Sequence, residues 1–334
     1  MKIRVNTARC IEIAEYIKTV GGVPLDIEDP MAYSFPSNIV HNAWWAVVAI
    51  NQQTTPVAGL PLCGSVMGKK LRGWDYLLQK AIFCSNKNSE LFTKKWLLEV
   101  SPDELRKIYH DEEVGDTLNQ ISTRASLLNG LGKLLNELEC ESINYAYLIS
   151  EGFIIRSDGK GIAQILSKTR AYSDPVQKKT FYFLAIMRNQ GLWSYKDELN
   201  LSAPVNYHEQ RGSFRLGTVT IADEELKRKI MARENITDEE DIEIRLAVRR
   251  ALEFIAQYLD VSPSRLHYYF WNHIRNCCSR EHPHCKSCDS SCTLPKRYRV
   301  NGDEKCIFES VCSNALLSVN QMLIEPRLDT TIWQ

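Results

Sequence analysis

A chain of 334 residues, 44% hydrophobic and 25% charged, has enough apolar material for a sizeable core in one large domain or two. Its 41 basic residues are balanced by 41 acidic ones, so the overall charge gives no support for coating nucleic acid indiscriminately. No apolar run reaches the roughly 18 residues that a membrane span needs, and Met1-Lys2-Ile3-Arg4-Val5-Asn6 lacks the apolar core of a secretory signal. Eleven cysteines, odd in number and clustered, argue for a reducing compartment with metal ligation over an extracellular disulfide framework, and so for a cytoplasmic location.

Taken in order, the spacing of Cys10, Ile13, Ala14 and Ile17 predicts a short amphipathic helix over 9–20. A loop with Gly21, Gly22, Pro24, Asp29 and Pro30 follows. The segment 43–53 is apolar nearly all round and then turns polar at Asn51-Gln52-Gln53. It reads as a buried helix presenting amides toward a cavity. Pro56, Gly59, Pro61, Gly64 and Gly68 predict a loop, and Trp74 opens the next helix. Ser101-Pro102-Asp103-Glu104 is a helix start, with a side-chain cap, a proline in the first turn and acids near the positive end. Residues 125–139 carry the clearest amphipathic pattern, and helical patterns recur at 142–150, 161–169 and 176–190. Ile244, Val248, Leu252, Ile255 and Leu259 share one face of a helix over 238–259. Ser262-Pro263-Ser264 caps the next, 263–276. No strand-alternating segment of comparable length appears, so the expected fold is mainly α. The tail after Cys312 is weakly patterned.

That last helix delivers the chain into Cys277-Cys278-Ser279-Arg280-Glu281-His282-Pro283-His284-Cys285-Lys286-Ser287-Cys288-Asp289-Ser290-Ser291-Cys292, which holds five of the eleven cysteines. Cys278, Cys285, Cys288 and Cys292 form C-x6-C-x2-C-x3-C, a loop able to point four soft sulfurs at zinc or an iron–sulfur cluster. Cys277 is an alternative first ligand, while His282 and His284 are read as shaping the loop. Cys306 and Cys312 are spare ligands or, by the reading preferred here, buried apolar residues. Lys296, Arg297, Tyr298 and Arg299 follow, and between Arg265 and Val300 seven basic residues face two acidic ones. A local patch of this kind recruits phosphates or is simply solvated.

Residues 203–292 resemble the second half of the helix-hairpin-helix DNA glycosylases of the endonuclease III type. The likeness is carried by Pro204-Val205-Asn206-Tyr207-His208-Glu209-Gln210-Arg211, by Arg215-Leu216-Gly217, by the helix over 241–259, and by Trp271 to Cys278 running into the cysteine loop. The last cysteine interval is two residues shorter than the family's commonest pattern. The resemblance implies a two-domain helix-hairpin-helix glycosylase-like fold with a cysteine-ligated cluster loop and a cleft between the domains. It favours [4Fe–4S] over zinc. Residues 1–30 with 200–300 would form the discontinuous iron–sulfur domain, 31–199 a helical barrel with a divergent hairpin, and 301–334 a C-terminal extension.

Two departures bear on chemistry. The glycine-rich hairpin signature is replaced by residues 172–183. These are similar to the divergent hairpin of archaeal 8-oxoguanine glycosylases, where a Lys-Thr pair precedes an apolar helix and the lysine is the nucleophile. Lys179 matches that lysine. The family's essential aspartate falls at Asn206, whose neutral amide cannot stabilise a cationic sugar. Asp75, Asp174 and Glu209 are the candidate substitutes, although Asp174 and Asp75 also read as helix caps. Glu209 falls three residues after Asn206, on the same face of a helix.

Gln52, Gln53, Trp44, Trp45 and Trp74 are candidate base-pocket residues, because aromatics stack on bases and amides read their edges. For the tryptophans a plain core role is the stronger reading. His208 is read as structural support beside the substrate. The expected protein is a monomeric DNA glycosylase, with lyase chemistry through Lys179, that excises a damaged or modified base. Two rivals stand beside it: an N-glycosidase of a free nucleotide or RNA nucleoside, similar to queuosine-salvage enzymes, and a DNA-binding relative without chemistry.

Overall fold

Helices dominate, as the apolar spacing predicts. The computed structural model describes residues 2–28, 34–285, 294, 306–329 and 331–333. The described chain begins with strand β1 (Ile3–Val5), then α1 (Thr7–Thr19), α2 (Val40–Ala49), β2 (Cys63–Val66) and β3 (Lys69–Arg72). Next come α3 (Trp74–Ser85), α4 (Lys94–Glu99), α5 (Pro102–Tyr109), α6 (Ile121–Glu137), α7 (Asn144–Ile149), α8 (Ile162–Leu166) and α9 (Lys178–Asn189). Then follow α10 (Tyr207–Leu216), β4 (Val219–Ile221), α11 (Glu224–Met231), α12 (Asp238–Leu259) and α13 (Pro263–Cys277). None of the described helices is long and apolar enough to cross a membrane.

The chain divides into two units, Met1–Asp29 with Ser202–Leu328, and Pro30–Leu201 with Asp329–Gln334. In the first, α1 lays Cys10, Ile13, Ala14 and Ile17 against α12, which returns Ile244, Val248, Leu252 and Ile255; all of these are buried. Each such large aliphatic side chain is worth about 1.5–3 kcal/mol against exposure. Strand β1 pairs antiparallel with β4 (Ile3 opposite Ile221) and so ties the first residues to a strand far along the chain. Helices α10 and α13 pack so closely that a Cβ on Gly212 would overlap Ile274 Cδ1, so a larger residue there must displace the Ile274 side chain. The segment 306–328 belongs to this unit. Tyr16 Oη donates to Ile307 O (2.7 Å), and Arg9 donates to Val311 O and Leu216 O.

The second unit is built around α2, which packs against α9, α6 and α3. Trp44 to Ala49 show no exposure, as expected of a helix apolar on every side. The helix ends at Ala49, four residues short of the sequence expectation. Its last carbonyls are captured by cations instead of by further turns, and Gln53 turns left-handed at φ 49°. Apolar periodicity does not announce α4, α11 or the four described strands, none of which exceeds eight residues. The stretch read as loop between 56 and 73 contains a hairpin, in which Cys63 pairs with Arg72 and Val66 with Lys69.

Candidate functional site

At the C-terminal end of α2, unpaired carbonyls would normally point into solvent or meet a capping residue. Here they point into the interior of the second unit, and two cations from other helices meet them. Arg124 of α6 donates to Ile50 O, to Gln52 O (2.6 Å), and to the backbone and side-chain oxygens of Asn119 (2.8 and 2.7 Å). Lys179, second residue of α9, donates from Nζ to Ala49 O and to Gln52 Oε1 (3.0 Å). Arg124, Lys179 and Gln52 are all fully buried, and these acceptors are all neutral oxygens. The adjoining Lys178, also buried, donates to Asn51 Oδ1 (3.0 Å).

This setting drives the Lys179 amine well below the ordinary lysine range. Burial is the main cause, followed by the charges of Lys178 and Arg124; Asp174 pulls the other way more weakly. An amine so placed gives up its proton more readily than an exposed lysine, and its N–H groups are fixed on Ala49 and Gln52. Asp174 holds the start of α9, accepting from Val176 N and Lys178 N at 3.0 Å each, the capping role read from its place before proline.

The sequence-predicted pocket residues separate. Gln52 reaches Lys179 through Oε1, and its buried Nε2 has no hydrogen-bond partner among the described residues. Gln53 accepts from Asn119 Nδ2 (3.1 Å) through its backbone carbonyl. Trp44 and Trp45 are enclosed in the core. Trp44 meets Phe35 edge-on at 5.1 Å, while Trp45 stacks at 6.2 Å on Tyr172, whose hydroxyl donates to Trp45 O. Trp74, half-buried at the start of α3, meets Tyr182 of α9 edge-on at 5.3 Å, so α3 and α9 are in touch one turn beyond Lys179. Asp75 lies half-buried in the first turn of α3.

Asn206, His208 and Glu209 belong to the other unit. Asn206 is the N-cap of α10. Its Oδ1 accepts from His208 N (2.7 Å), and Glu209 reaches back to accept from Asn206 N (2.9 Å), a reciprocal capping box. Glu209 is fully buried, and its other oxygen lies 3.1 Å from His267 Nδ1. Both positions are therefore committed to holding α10. His208 rests against Tyr207 and Trp271, with Nδ1 2.9 Å from Arg211 Nη2. Burial, then Arg211, Arg275 and Arg280, hold its imidazole well below the usual range, so it is neutral.

Of the four expected metal ligands, Cys278 and Cys285 are described, while Cys288, Cys292 and the basic run 296–299 lie outside the described residues. Arg215, fully buried, donates from Nη1 to Cys278 Sγ (3.2 Å) and to Ser279 O (2.6 Å); Arg211 donates to Cys278 O (2.7 Å) and to Glu325 (2.7 Å). Cys306 N donates to His284 O (3.1 Å), whose own N–H donates to Cys277 O (2.8 Å). The Cys312 thiol donates to Arg215 O (3.3 Å). Burial, then the neighbouring Cys306, Cys278 and Cys312, push the Cys285 thiol up to about 12. All the described cysteines are free thiols. Cys306 and Cys312, read from the sequence as apolar filling, pack against the core of this unit and adjoin the cysteine loop.

Among the described residues no three His, Cys, Asp or Glu side chains are arranged to hold an ion. The thiols of Cys278 and Cys285, the first with a guanidinium beside it, are soft donors of the kind a thiolate-ligated metal takes. Sequence reasoning missed Arg124 and the β2–β3 hairpin. An arginine on the buried face of a Leu-rich helix was the available signal for the first. No known family model and no curated protein matches the chain.

Proposed function

We propose that the chain is a nucleic-acid base glycosylase in which the Lys179 amine is the nucleophile. The observation that carries this reading is the buried amine itself, aimed by two neutral acceptors and pressed toward its uncharged form by burial, Lys178 and Arg124. In the proposed step the Lys179 nitrogen forms a bond to C1′ of the sugar. The glycosidic C1′–N bond breaks, and its electron pair leaves with the base. The departing base takes the proton released by the new ammonium, and ring opening gives a Schiff base that accounts for lyase chemistry. Because Lys179 is shut from solvent, the Gln52 side chain must turn aside to admit the sugar. The Gln52 Nε2 group can then meet an acceptor on the extruded base.

The missing family aspartate fits this scheme. Asn206 and Glu209 are occupied as a helix cap, so no carboxylate is asked of them and the amine does the work instead. The cysteine loop is read as a [4Fe–4S] or zinc site that would be held by Cys278, Cys285, Cys288 and Cys292. When bound, the metal would fix the loop and supply no catalytic step. Chain-wide neutrality favours a second reading, action on a free nucleotide or RNA nucleoside.

The test is base release from duplexes carrying a panel of oxidised, alkylated and hypermodified bases, set beside the corresponding free nucleosides. Release from a duplex, lost in Lys179→Met, supports the glycosylase. Release from nucleosides alone, undiminished by excess duplex, transfers the reading to the nucleotide enzyme.

A further inference from the structure

The hairpin β2–β3 lies in the chain between the loop bearing Gln52 and Trp74 at the head of α3, and its base is rigidly held. Leu62 N donates to Thr54 O (3.0 Å) and Gly73 N to Leu62 O (2.7 Å). Ser65 N donates to Asp111 Oδ2 (2.6 Å), and Cys63 exchanges bonds with Thr117 Oγ1 through both its N–H and its carbonyl. Gly64 presses on α3, where an added Cβ would meet the Tyr76 ring at 2.5 Å. The anchored ribbon thus carries its tip outward in one fixed direction.

The tip is a two-residue turn, Met67-Gly68, with φ of 49° and 76°. Such turns want Asn, Asp or Gly first, because a side chain in the left-handed region costs about 1–2 kcal/mol. Methionine has that cost and gains little packing in return, being 84% exposed. A single exposed apolar residue is ordinary on a protein surface. One in a disfavoured conformation, at the apex of a braced ribbon, is not explained by folding. Beside it on β3, Lys69, Lys70 and Arg72 are exposed; Lys70 has a solvated Glu113 at 3.6 Å, a pairing too exposed to neutralise it. An apolar wedge flanked by cations matches a stacked, phosphate-lined polymer, and an unbranched thioether slides between base planes.

We infer that the 63–72 hairpin is a nucleic-acid probe, with Met67 entering the base stack and Lys69, Lys70 and Arg72 holding the flanking phosphates. This role rests on the nucleic-acid reading above and adds to it the element that opens the stack. The probe for the test is a duplex carrying 2-aminopurine beside a mismatch, whose fluorescence rises when its neighbour is withdrawn. Met67→Gly suits the turn better than methionine, so this variant should melt at or above the wild-type temperature.

With wild-type protein the fluorescence rises. With Met67→Gly the rise should fall at least several-fold while the salt dependence of binding is kept; Met67→Leu should retain the rise. The triple variant Lys69→Gln, Lys70→Gln, Arg72→Gln should bind with a salt slope shallower by about 0.9 for each phosphate no longer held. An undiminished rise in Met67→Gly, or an unchanged slope in the triple variant, overturns the hairpin's role while leaving the glycosylase reading intact. Failure of the wild-type protein to bind any duplex overturns both.

Discussion

The two units differ in how they meet most of their buried basic side chains. In the unit containing α10, three of them meet carboxylates: Arg211 and Arg280 converge on the fully buried Glu325 (2.7 and 2.5 Å), and Arg245 meets Asp241 at 2.7 Å, while Arg215 alone is spent on the backbone and thiol of the cysteine loop. In the unit containing α2, Lys179 and Arg124 meet neutral oxygens at a helix C-terminus. A paired charge holds structure and keeps its proton. An amine surrounded by dipoles and like charges gives its proton up more readily, which is what a nucleophile needs. The first unit therefore reads as a frame for the cysteine loop, and the second as the place where chemistry is proposed.

The contrast is broken most severely at Glu325. Glu325→Ala strands two guanidinium groups, one of them deeply buried, and should cost about 3–5 kcal/mol in urea denaturation. Glu325→Gln, keeping the shape, should cost less. Arg124→Met removes a charge that has no carboxylate partner among the described residues, but it orphans the carbonyls of Ile50 and Gln52. The two effects oppose, leaving a loss of about 1–3 kcal/mol. A loss as large as that of Glu325→Ala would mean that the second unit depends on its cation as the first does.

Lys179 separates the units by pH. Its folded value is depressed, so between that value and the ordinary 10.5 the unfolded chain binds a proton that the folded chain does not. Stability should rise with pH across that window. Lys179→Met should flatten the rise and stabilise the protein most below the window, measured as melting temperature against pH. Arg211→Met, in the unit of paired charges, is the control and should leave the alkaline slope unchanged. The smallest effect is expected at Asn206. Asn and Asp cap helices about equally, so Asn206→Asp should shift stability by less than about 0.5 kcal/mol, against about 1 kcal/mol lost in Asn206→Ala.

Much of the helical frame is legible in the sequence because long amphipathic runs advertise their buried face. The Leu-rich α6 and the alternating turns of α12 need no tertiary information. Caps are legible too, as at Ser101, which the structure makes the N-cap of α5 and joins to Glu104 in a capping box. What the sequence conceals is short or non-local. Three-residue strands β1 and β4 exist only because they find each other across the chain. Arg124 and Lys179 lie far apart in sequence and acquire shared meaning only at the end of α2. Gln52 reads as a polar helix end, but its bond to Lys179 depends on where α9 packs. The likeness to the glycosylases casts Asn206 as a lost catalytic acid, and so hides its work as a helix cap.

Whether Lys179 is the attacking amine is tested most directly by borohydride trapping. Protein incubated with a cleavable modified duplex and reduced in place should yield a covalent adduct, which peptide mass spectrometry should locate on the Lys179 side chain. Base release with no adduct, or an adduct mapped to another lysine, is incompatible with an attacking Lys179.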